Sequence, residues 1–391
     1  MRIGVDATSW SNRRGFGRFT RNVVRELVEL DDGITYVVYF DAGGDDRTEL
    51  PMRAEQRPVR LRRDPLSAAA AGSRRPVADL LRLARAVRRR DVDAFLFPSV
   101  YTYFPVVRVP TVVGVHDATA DRLPSLMFPS RRDHAAWALK QRVAVRRATR
   151  VFTVSGPARA DVVSRFGLRP ERVAIVPEAP DPVFAPRNAH SIAGALESLG
   201  LPPGEPYLLY AGGISPHKNL DRLIAAFASL QREPRTRTRL LVAGDLGGDS
   251  YLSSAETLRR AIVDRGLERD VHLLGFVPDE ALACLFSGAT AVVSPSLAEG
   301  FGLTAVEAAA CGAPTVLSDL PAHQAALGSA ALYFPPTDSH AMSRQLAKLI
   351  VDRNLRSELG ERARQAAAAL SWTEAARRLS VVLTEAARGK R

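Results

Sequence analysis

Short apolar runs of four to six residues recur along this chain, each followed by a loop and then a stretch with helical spacing, and the whole series begins again halfway. The first series has its runs at residues 3–6, 35–40, 94–97, 111–115, 151–154 and 173–176, and the second at 207–210, 239–243, 271–274, 289–293, 315–318 and 331–334. Runs that are apolar at consecutive positions read as strands buried on both faces, and strands separated by helices pair in parallel. Two such series predict an α/β chain of two parallel-sheet domains with helices on both faces of each sheet.

The helical stretches support this reading. Residues 19–30 place Phe19, Val23, Val24, Leu27 and Leu30 on one face. Residues 77–90 are expected to turn Leu80, Leu81, Leu83, Ala84 and Val87 inward and Arg82, Arg85, Arg88, Arg89 and Arg90 outward. A long helix is expected at 131–150, another from Ser155-Gly156-Pro157 onward, and others from Asn219 or Leu220, at 258–265 and at 280–287. Helices at 338–352, 354–369 and 373–387 close the chain, whereas 41–66 read as a variable connection.

A length of 391 residues exceeds what one ordinary core serves. The Pro-rich break from Pro177 to Pro182 sets the expected boundary, giving domains at 1–182 and 183–370, with 371–391 a last helix packing toward the first domain. No apolar run reaches the roughly 20 residues that span a bilayer, and Met1 to Asp6 reads as a first strand rather than a signal peptide. Cys284 and Cys311 fall in Ala-rich helical contexts and read as buried thiols of a reducing cytoplasm, with no metal-ligand spacing.

The net charge of +12 is local. Residues 51–150 carry 21 Lys and Arg against 8 Asp and Glu, so the remainder is close to neutral. A basic surface there suits an anionic membrane, a phosphorylated acceptor or nucleic acid, and equally a solvated Arg-rich face. Nucleic acid is disfavoured, because no interleaved aromatic motif or known basic reading module accompanies the charge.

The most informative stretch runs from Ser294 to Pro314, where an apolar run enters a Gly-punctuated loop and then a short Ala-rich helix. Such a corner offers free backbone amides and a positive helix end to an anion. Glu299 and Glu307 flank that position, with Gly300 and Gly302 between them. Two carboxylates repel a bare phosphate, but they suit a ligand that also carries hydroxyls, as a nucleotide sugar does. The plainer alternative is a capping box, in which Thr304-Ala-Val-Glu307 merely closes the helix start. Gly15-Phe-Gly17 in a loop at 9–18, His116-Asp117, Lys218 and Gly244 also each follow an expected strand, where ligands bind in open parallel sheets. Each has a bland counterpart too: a turn for the glycines, a turn-bonded ring for His116. Five coincident placements outweigh any single match.

At these residues the sequence resembles the retaining nucleotide-sugar glycosyltransferases of the GT-B fold, family 4, group 1 type. The resemblance rests on Gly15-Phe-Gly-Arg-Phe-Thr-Arg21, His116-Asp117, Val154-Ser155, Gly212-Gly-Ile-Ser-Pro-His-Lys-Asn219 and the paired-Glu stretch ending at Glu307, and it covers nearly the whole chain. It implies two Rossmann-like domains facing one another across a cleft. It implies that Glu307 binds the donor ribose, and that Glu299 with the amides of Gly300, Phe301, Gly302 and Leu303 holds the transferred sugar and diphosphate. Lys218 would neutralise the diphosphate, Gly15 and Gly17 would close over it, Gly213 and Gly244 would line the donor site, and His116 would touch the sugar. The catalytic set is then Glu299, His116 and Lys218.

The resemblance further implies a nucleoside diphosphate sugar as donor substrate, no cofactor and no metal. The acceptor would be a glycan, glycolipid or small-molecule glycoside, with no nucleic-acid partner. The location would be cytoplasmic, with peripheral contact to an anionic inner membrane face through the basic first domain as a compatible placement. Three departures from the family pattern stand out: Gly213 where an Arg is common, no acidic residue near Ala325, and no Asn-Gly near Glu178-Ala179. A GT-B-fold epimerase or phosphorylase is the alternative enzyme reading.

Overall fold

The computed structural model describes residues 1–12, 15–30, 32–43, 50–62, 76–88, 91–246 and 253–389. It divides into two units, Met1–Glu178 with Ser371–Arg391, and Ala179–Leu370. The division falls inside the Pro-rich break, at Glu178/Ala179.

In the first unit, seven strands form one sheet: β1 (Arg2–Asp6), β2 (Thr35–Asp41), β3 (Glu55–Val59), β4 (Ala94–Phe97), β5 (Thr111–Gly114), β6 (Arg150–Thr153) and β7 (Val173–Ile175). Their order is β3-β2-β1-β4-β5-β6-β7, and every pairing is parallel. The chain winds outward from β1 to β3, then returns to lay β4 beside β1. That reversal is a topological switch point, where loops splay apart and leave a crevice at the carboxyl ends. This unit's longer helices before the second unit, among the described residues, are α1 (Gly15–Glu29), α2 (Val77–Ala86), α3 (Arg131–Arg147) and α4 (Gly156–Phe166). Ser130 and Ser155 cap α3 and α4, each hydroxyl accepting from an amide three residues on.

Several local expectations are corrected here. Residues 55–59, read as part of a connection, form β3; its Glu, Gln, Arg and Pro suit the sheet's edge, where one side stays in water. Other parts of that connection, 44–49 and 63–66, lie outside the described residues. Helix α2 stops at Ala86, and Leu81 is 48% exposed rather than inward. The inward polar residue is Asp79, whose carboxylate accepts from Arg62 N and Arg82 Nη1. Arg13, Arg14, Arg89 and Arg90 lie outside the described residues.

The second unit repeats the winding with β8 (Tyr207–Ala211), β9 (Arg239–Ala243), β10 (Val271–Gly275), β11 (Ala291–Ser294), β12 (Thr315–Ser318) and β13 (Leu332–Phe334). The order is β10-β9-β8-β11-β12-β13, again all parallel, with the switch point between β8 and β11. Its helices are α5 (Ala189–Ser198), α6 (Leu220–Gln231), α7 (Ala255–Val263), α8 (Asp279–Gly288), α9 (Leu303–Ala310), α10 (Pro321–Leu327), α11 (Ser339–Val351) and α12 (Arg353–Ala368). Alternate strand residues serve opposite cores. Leu208, Tyr210, Leu240, Val242 and Val293 pack with Leu223, Phe227, Met342 and Leu346 on one face. Leu209, Leu241 and Val292 pack with Leu285, Phe286, Ala308 and Cys311 on the other. Each fully buried Leu, Val or Phe contributes about 1.5–3 kcal/mol, so both faces must stay covered.

The last helix, α13 (Trp372–Ala387), belongs to the first unit. Trp372, Leu379 and Leu383 are buried, and the Trp372 ring meets Phe19 of α1 edge-on at 5.7 Å. Thr373 Oγ1 donates to Glu26 Oε2 at 2.6 Å, and Ser380 Oγ to Asp32 Oδ2 at 2.7 Å.

Candidate functional site

At the second unit's switch point, the loop after β8 and the loop after β11 are bonded to each other. Leu297 N donates to His217 O at 2.8 Å, and Asn219 Nδ2 donates to Pro295 O at 2.9 Å and Pro336 O at 2.8 Å. Asn219 takes a left-handed conformation, φ 62°, as it starts α6, which frees its side chain to reach across instead of capping that helix. The result fixes Lys218, one residue earlier, against Glu299.

Lys218 Nζ donates to Glu299 Oε1 at 2.6 Å, with side chains 22% and 18% exposed. Ser296 Oγ donates to the same oxygen at 2.7 Å. Burial opposes a charge on Glu299, but the positive field of Lys218, joined by that of His323 only at the acid pH where its ring is protonated, and both hydrogen bonds outweigh it and hold the carboxyl down at about 2. Glu299 is therefore an ionised acceptor at neutral pH. His217, just before Lys218 in the loop after β8, is pushed down to about 3 by burial and then by neighbouring Lys218, so it stays neutral beside Ser215 Oγ at 3.1 Å.

Beyond Glu299 the chain turns through Gly302, the N-cap of α9, at φ 92°. A Cβ there would lie 2.7 Å from His323 Cδ2, so both the backbone conformation and the space demand glycine. Helix α9 begins at Leu303, and its leading amides have no intrahelical acceptor. The capping-box alternative does not hold: the N-cap of α9 is Gly302, which has no side chain, and Thr304 is the helix's second residue rather than its cap. Glu307, its fifth residue, is 1% exposed. Phe301 is buried, 6% exposed, and Leu303 half-buried.

Gly213 shares the loop after β8 with Lys218, and Gly244 opens the loop after β9. Tyr210 Oη donates to Gly213 O at 2.6 Å. A Cβ on Gly244 would lie 2.3 Å from Gly212 O, so this glycine permits the β8 and β9 loops to approach closely. Close approach of backbones is its visible role.

In the first unit the expected Gly15-Phe-Gly17 loop is instead the first turn of α1. A Cβ on Gly17 would lie 1.9 Å from Asn12 O, whereas one on Gly15 would meet open space. His116 lies two residues past β5, its side chain 12% exposed. Its Nε2 is 2.8 Å from Pro98 O, which places the ring proton there and leaves Nδ1 as a lone pair, 3.8 Å from Glu178 Oε1. Burial pushes it down to about 4 against the Pro98 bond, so the ring is neutral near pH 7. Phe19 meets it edge-on at 4.6 Å.

Thus Lys218, Glu299, Gly300 to Leu303 and Glu307 occupy one corner of the second unit, with Gly213 on the Lys218 loop and Gly244 on the loop after β9. Gly15, Gly17 and His116 belong to the first unit. Sequence reasoning missed Ser296, Asn219 and His323. The first two stood inside the quoted motifs; His323 carried no signal, since attention there went to the missing acid near Ala325. Among the described residues, no three His, Cys, Asp or Glu side chains come together in a way that could hold a metal ion. No described helix is long and apolar enough to cross a membrane.

Comparison with known proteins bears on both units. Residues 13–184 match the family model described as Glycosyltransferase Family 4, and residues 194–366 that described as Glycosyl transferases group 1. The chain is 28% identical to the O-antigen chain mannosyltransferase B of Escherichia coli, over 72% of either protein. It is 30% identical to the D-inositol 3-phosphate glycosyltransferase of Frankia alni, over 69% of this chain and 67% of that one. Several further curated relatives are spanned over only 54% to 63% of their length. The crystal structure of Anabaena HepE in complex with UDP-glucose superposes with a TM-score of 0.76 at 18% identity, covering 98% of this chain and all of that one, which shows the fold.

Proposed function

The chain belongs to the glycosyltransferases of the GT-B fold, and from that premise we propose that it moves a sugar from a nucleoside diphosphate sugar to an acceptor hydroxyl with retention of anomeric configuration. The observation that carries the reading is the Lys218–Glu299 pair, fixed at a switch point directly before the start of α9. A cation and free helix amides suit a diphosphate, and ionised carboxylates suit sugar hydroxyls.

In this reading Glu307 accepts from the ribose hydroxyls. Glu299 accepts from the transferred sugar, while the amides of Gly300, Phe301, Gly302 and Leu303 hold the diphosphate, with Gly213 and Gly244 lining the same site. Lys218 stabilises the charge that grows on the leaving oxygen. The anomeric carbon–oxygen bond to the diphosphate breaks while the acceptor oxygen bonds to that carbon from the same face. The acceptor's proton passes to the departing phosphate oxygen. The protein contributes orientation and charge stabilisation rather than a covalent nucleophile. From the first unit, Gly15 and Gly17 are assigned to the diphosphate and neutral His116 to the sugar. Transfer is proposed to be independent of metal, with Lys218 and the helix start supplying the positive charge.

The acceptor is proposed to be a glycan, a glycolipid or a small-molecule glycoside, since the curated relatives act on polyhydroxylated partners by their names. The location is proposed as cytoplasmic, against an anionic inner membrane face. Helix α3 supports this by exposing Arg131, Arg132, Arg142, Arg146 and Arg147 around an exposed Leu139. Flotation with anionic liposomes, lost on charge reversal at Arg131, Arg132 and Arg142, tests that placement.

The decisive experiment is a panel of nucleoside diphosphate sugars ranked by thermal shift, followed by nucleoside diphosphate release with candidate acceptors and NMR of the product. A retained anomer is expected. An inverted product, or sugar conversion without any acceptor, would overturn the reaction assigned here.

A further inference from the structure

His323, the third residue of α10, is fully buried beside the corner just described. Its Nδ1 is 2.8 Å from Ser318 O at the end of β12. A carbonyl oxygen only accepts, so Nδ1 carries the ring hydrogen and Nε2 presents a lone pair. That Nε2 is buried and has no hydrogen-bond partner. The Cδ2–Nε2 edge of the ring occupies the space a side chain on Gly302 would need, with Nε2 3.2 Å from that missing Cβ. Leaving a buried acceptor bare is unfavourable, so its persistence here calls for a second state in which it is used.

The surroundings identify that state. Among the described residues, the charged groups that act on the ring are Glu299 from the loop after β11 and Lys218 from the loop after β8; Asp319, just past β12, holds Gln324 of the same helix, and Tyr333 of β13 donates through Oη to the His323 backbone oxygen at 3.4 Å. Burial lowers the proton affinity of the ring, Glu299 and the Ser318 bond raise it, and Lys218 lowers it. With Lys218 on Glu299, the carboxylate is already compensated and His323 is neutral.

We propose that His323 is a positioning residue that takes up a proton on Nε2 when donor binds, replacing the cation that Glu299 loses as Lys218 moves to the diphosphate. This rests on the donor site proposed above. The proton comes from solvent and returns to it on product release, and no bond other than N–H forms or breaks. The diphosphate brings negative charge and draws Lys218 off Glu299, and both changes favour an imidazolium within the field of that carboxylate. Glu299 stays ionised and oriented while its first partner serves the leaving group.

Calorimetric titration with UDP-glucose, or with whichever nucleoside diphosphate sugar gives the largest thermal shift, reads the proton directly when repeated in buffers of different ionisation enthalpy. The native protein is expected to take up a fraction of a proton at pH 8 that rises toward one near pH 6, because a raised bound-state affinity is filled as pH falls. His323→Asn keeps an N–H for Ser318 O but cannot be protonated. It should bind donor with no proton uptake, and its kcat should fall more than its donor KM rises. A buffer-independent heat in the native protein, or undiminished uptake in His323→Asn, overturns the proposal. If that variant does not fold, imidazole 15N NMR of the native protein decides: donor must move Nε2 from an unprotonated to a protonated shift, and an unmoved signal overturns it. Failure of every donor to bind instead overturns the donor-site reading, and this inference with it.

Discussion

Lys218 Nζ and Glu299 Oε1, 2.6 Å apart, come from loops after two adjacent strands, and Asn219 and Leu297 bond those loops to each other beside the pair. The contact therefore follows from the sheet's winding order rather than from nearness in sequence. Glu299→Gln and Lys218→Ala each remove one partner of a charge set aimed at the leaving group. Both should lower kcat by roughly 10²–10³-fold, read as nucleoside diphosphate release. Full activity in both would sink the site assignment.

Glu307 is 1% exposed in α9. A hydrogen bond to a charged group contributes about 1.5–3 kcal/mol, so Glu307→Ala should weaken donor binding by roughly ten- to a hundredfold. Isothermal titration measures this, and unchanged affinity would remove Glu307 from the ribose.

Three glycines separate space from function. Gly302→Ala must adopt φ 92° against the His323 ring, and should cost about 1–3 kcal/mol of stability along with donor binding. Gly17→Ala should destabilise through its clash with Asn12 O. Gly15 has open space at its Cβ position, so Gly15→Ala should leave melting unchanged or raised by up to about 1 kcal/mol. A fall in donor affinity without loss of stability in Gly15→Ala would tie that position to the ligand.

Acid should act through buried neutral histidines before it reaches the carboxylates. His116 is lowered to about 4 and His217 to about 3, both by burial first. Below the ordinary histidine value the unfolded chain binds protons that the folded one refuses. Stability should thus fall with pH from about 6.5 down to about 4, with a slope of up to about 1.4 kcal/mol per pH unit for each group. Glu299, lowered to about 2, adds its own loss below the ordinary carboxylate range as it is protonated. Urea melts between pH 4 and 7 check this; His116→Asn should flatten the upper part of the curve.

Removing residues 371–391 strips Trp372, Leu379 and Leu383 from the first unit and breaks the Thr373–Glu26 and Ser380–Asp32 bonds. At about 1.5–3 kcal/mol for each large side chain, that unit should melt many degrees lower or fail to fold. Limited proteolysis should then cut first within 1–178.

Much of this architecture was legible because doubly covered parallel strands are apolar at every position, as in Leu208 to Ala211, and stand out as runs. Strand β3 escaped because an edge strand needs no such pattern, and Pro58 disguised it. Leu81 was misplaced because α2 is short and a register one residue out, about 100° around a helix, moves a Leu from core to solvent. The paired glutamates were visible as a motif, yet the capping-box alternative could be refused only once Gly302 was found at the helix start. His323 was invisible, since its significance lies in a ring edge against Gly302 and a lone pair without a donor, and neither leaves a trace in spacing.

The ownership of α13 by the first unit makes the second unit an insertion within the first. Residues 179–370 are contiguous, so all their partners exist once Leu370 has been synthesised. Helix α1, made before the second unit, must wait for α13, made after it, before Phe19 gains Trp372. On the ribosome the order of completion is thereby inverted relative to the usual N-terminal-first sequence. Throughout translation, the nascent first unit carries an uncovered apolar face on α1, and that interval is when the chain depends most on protection from aggregation.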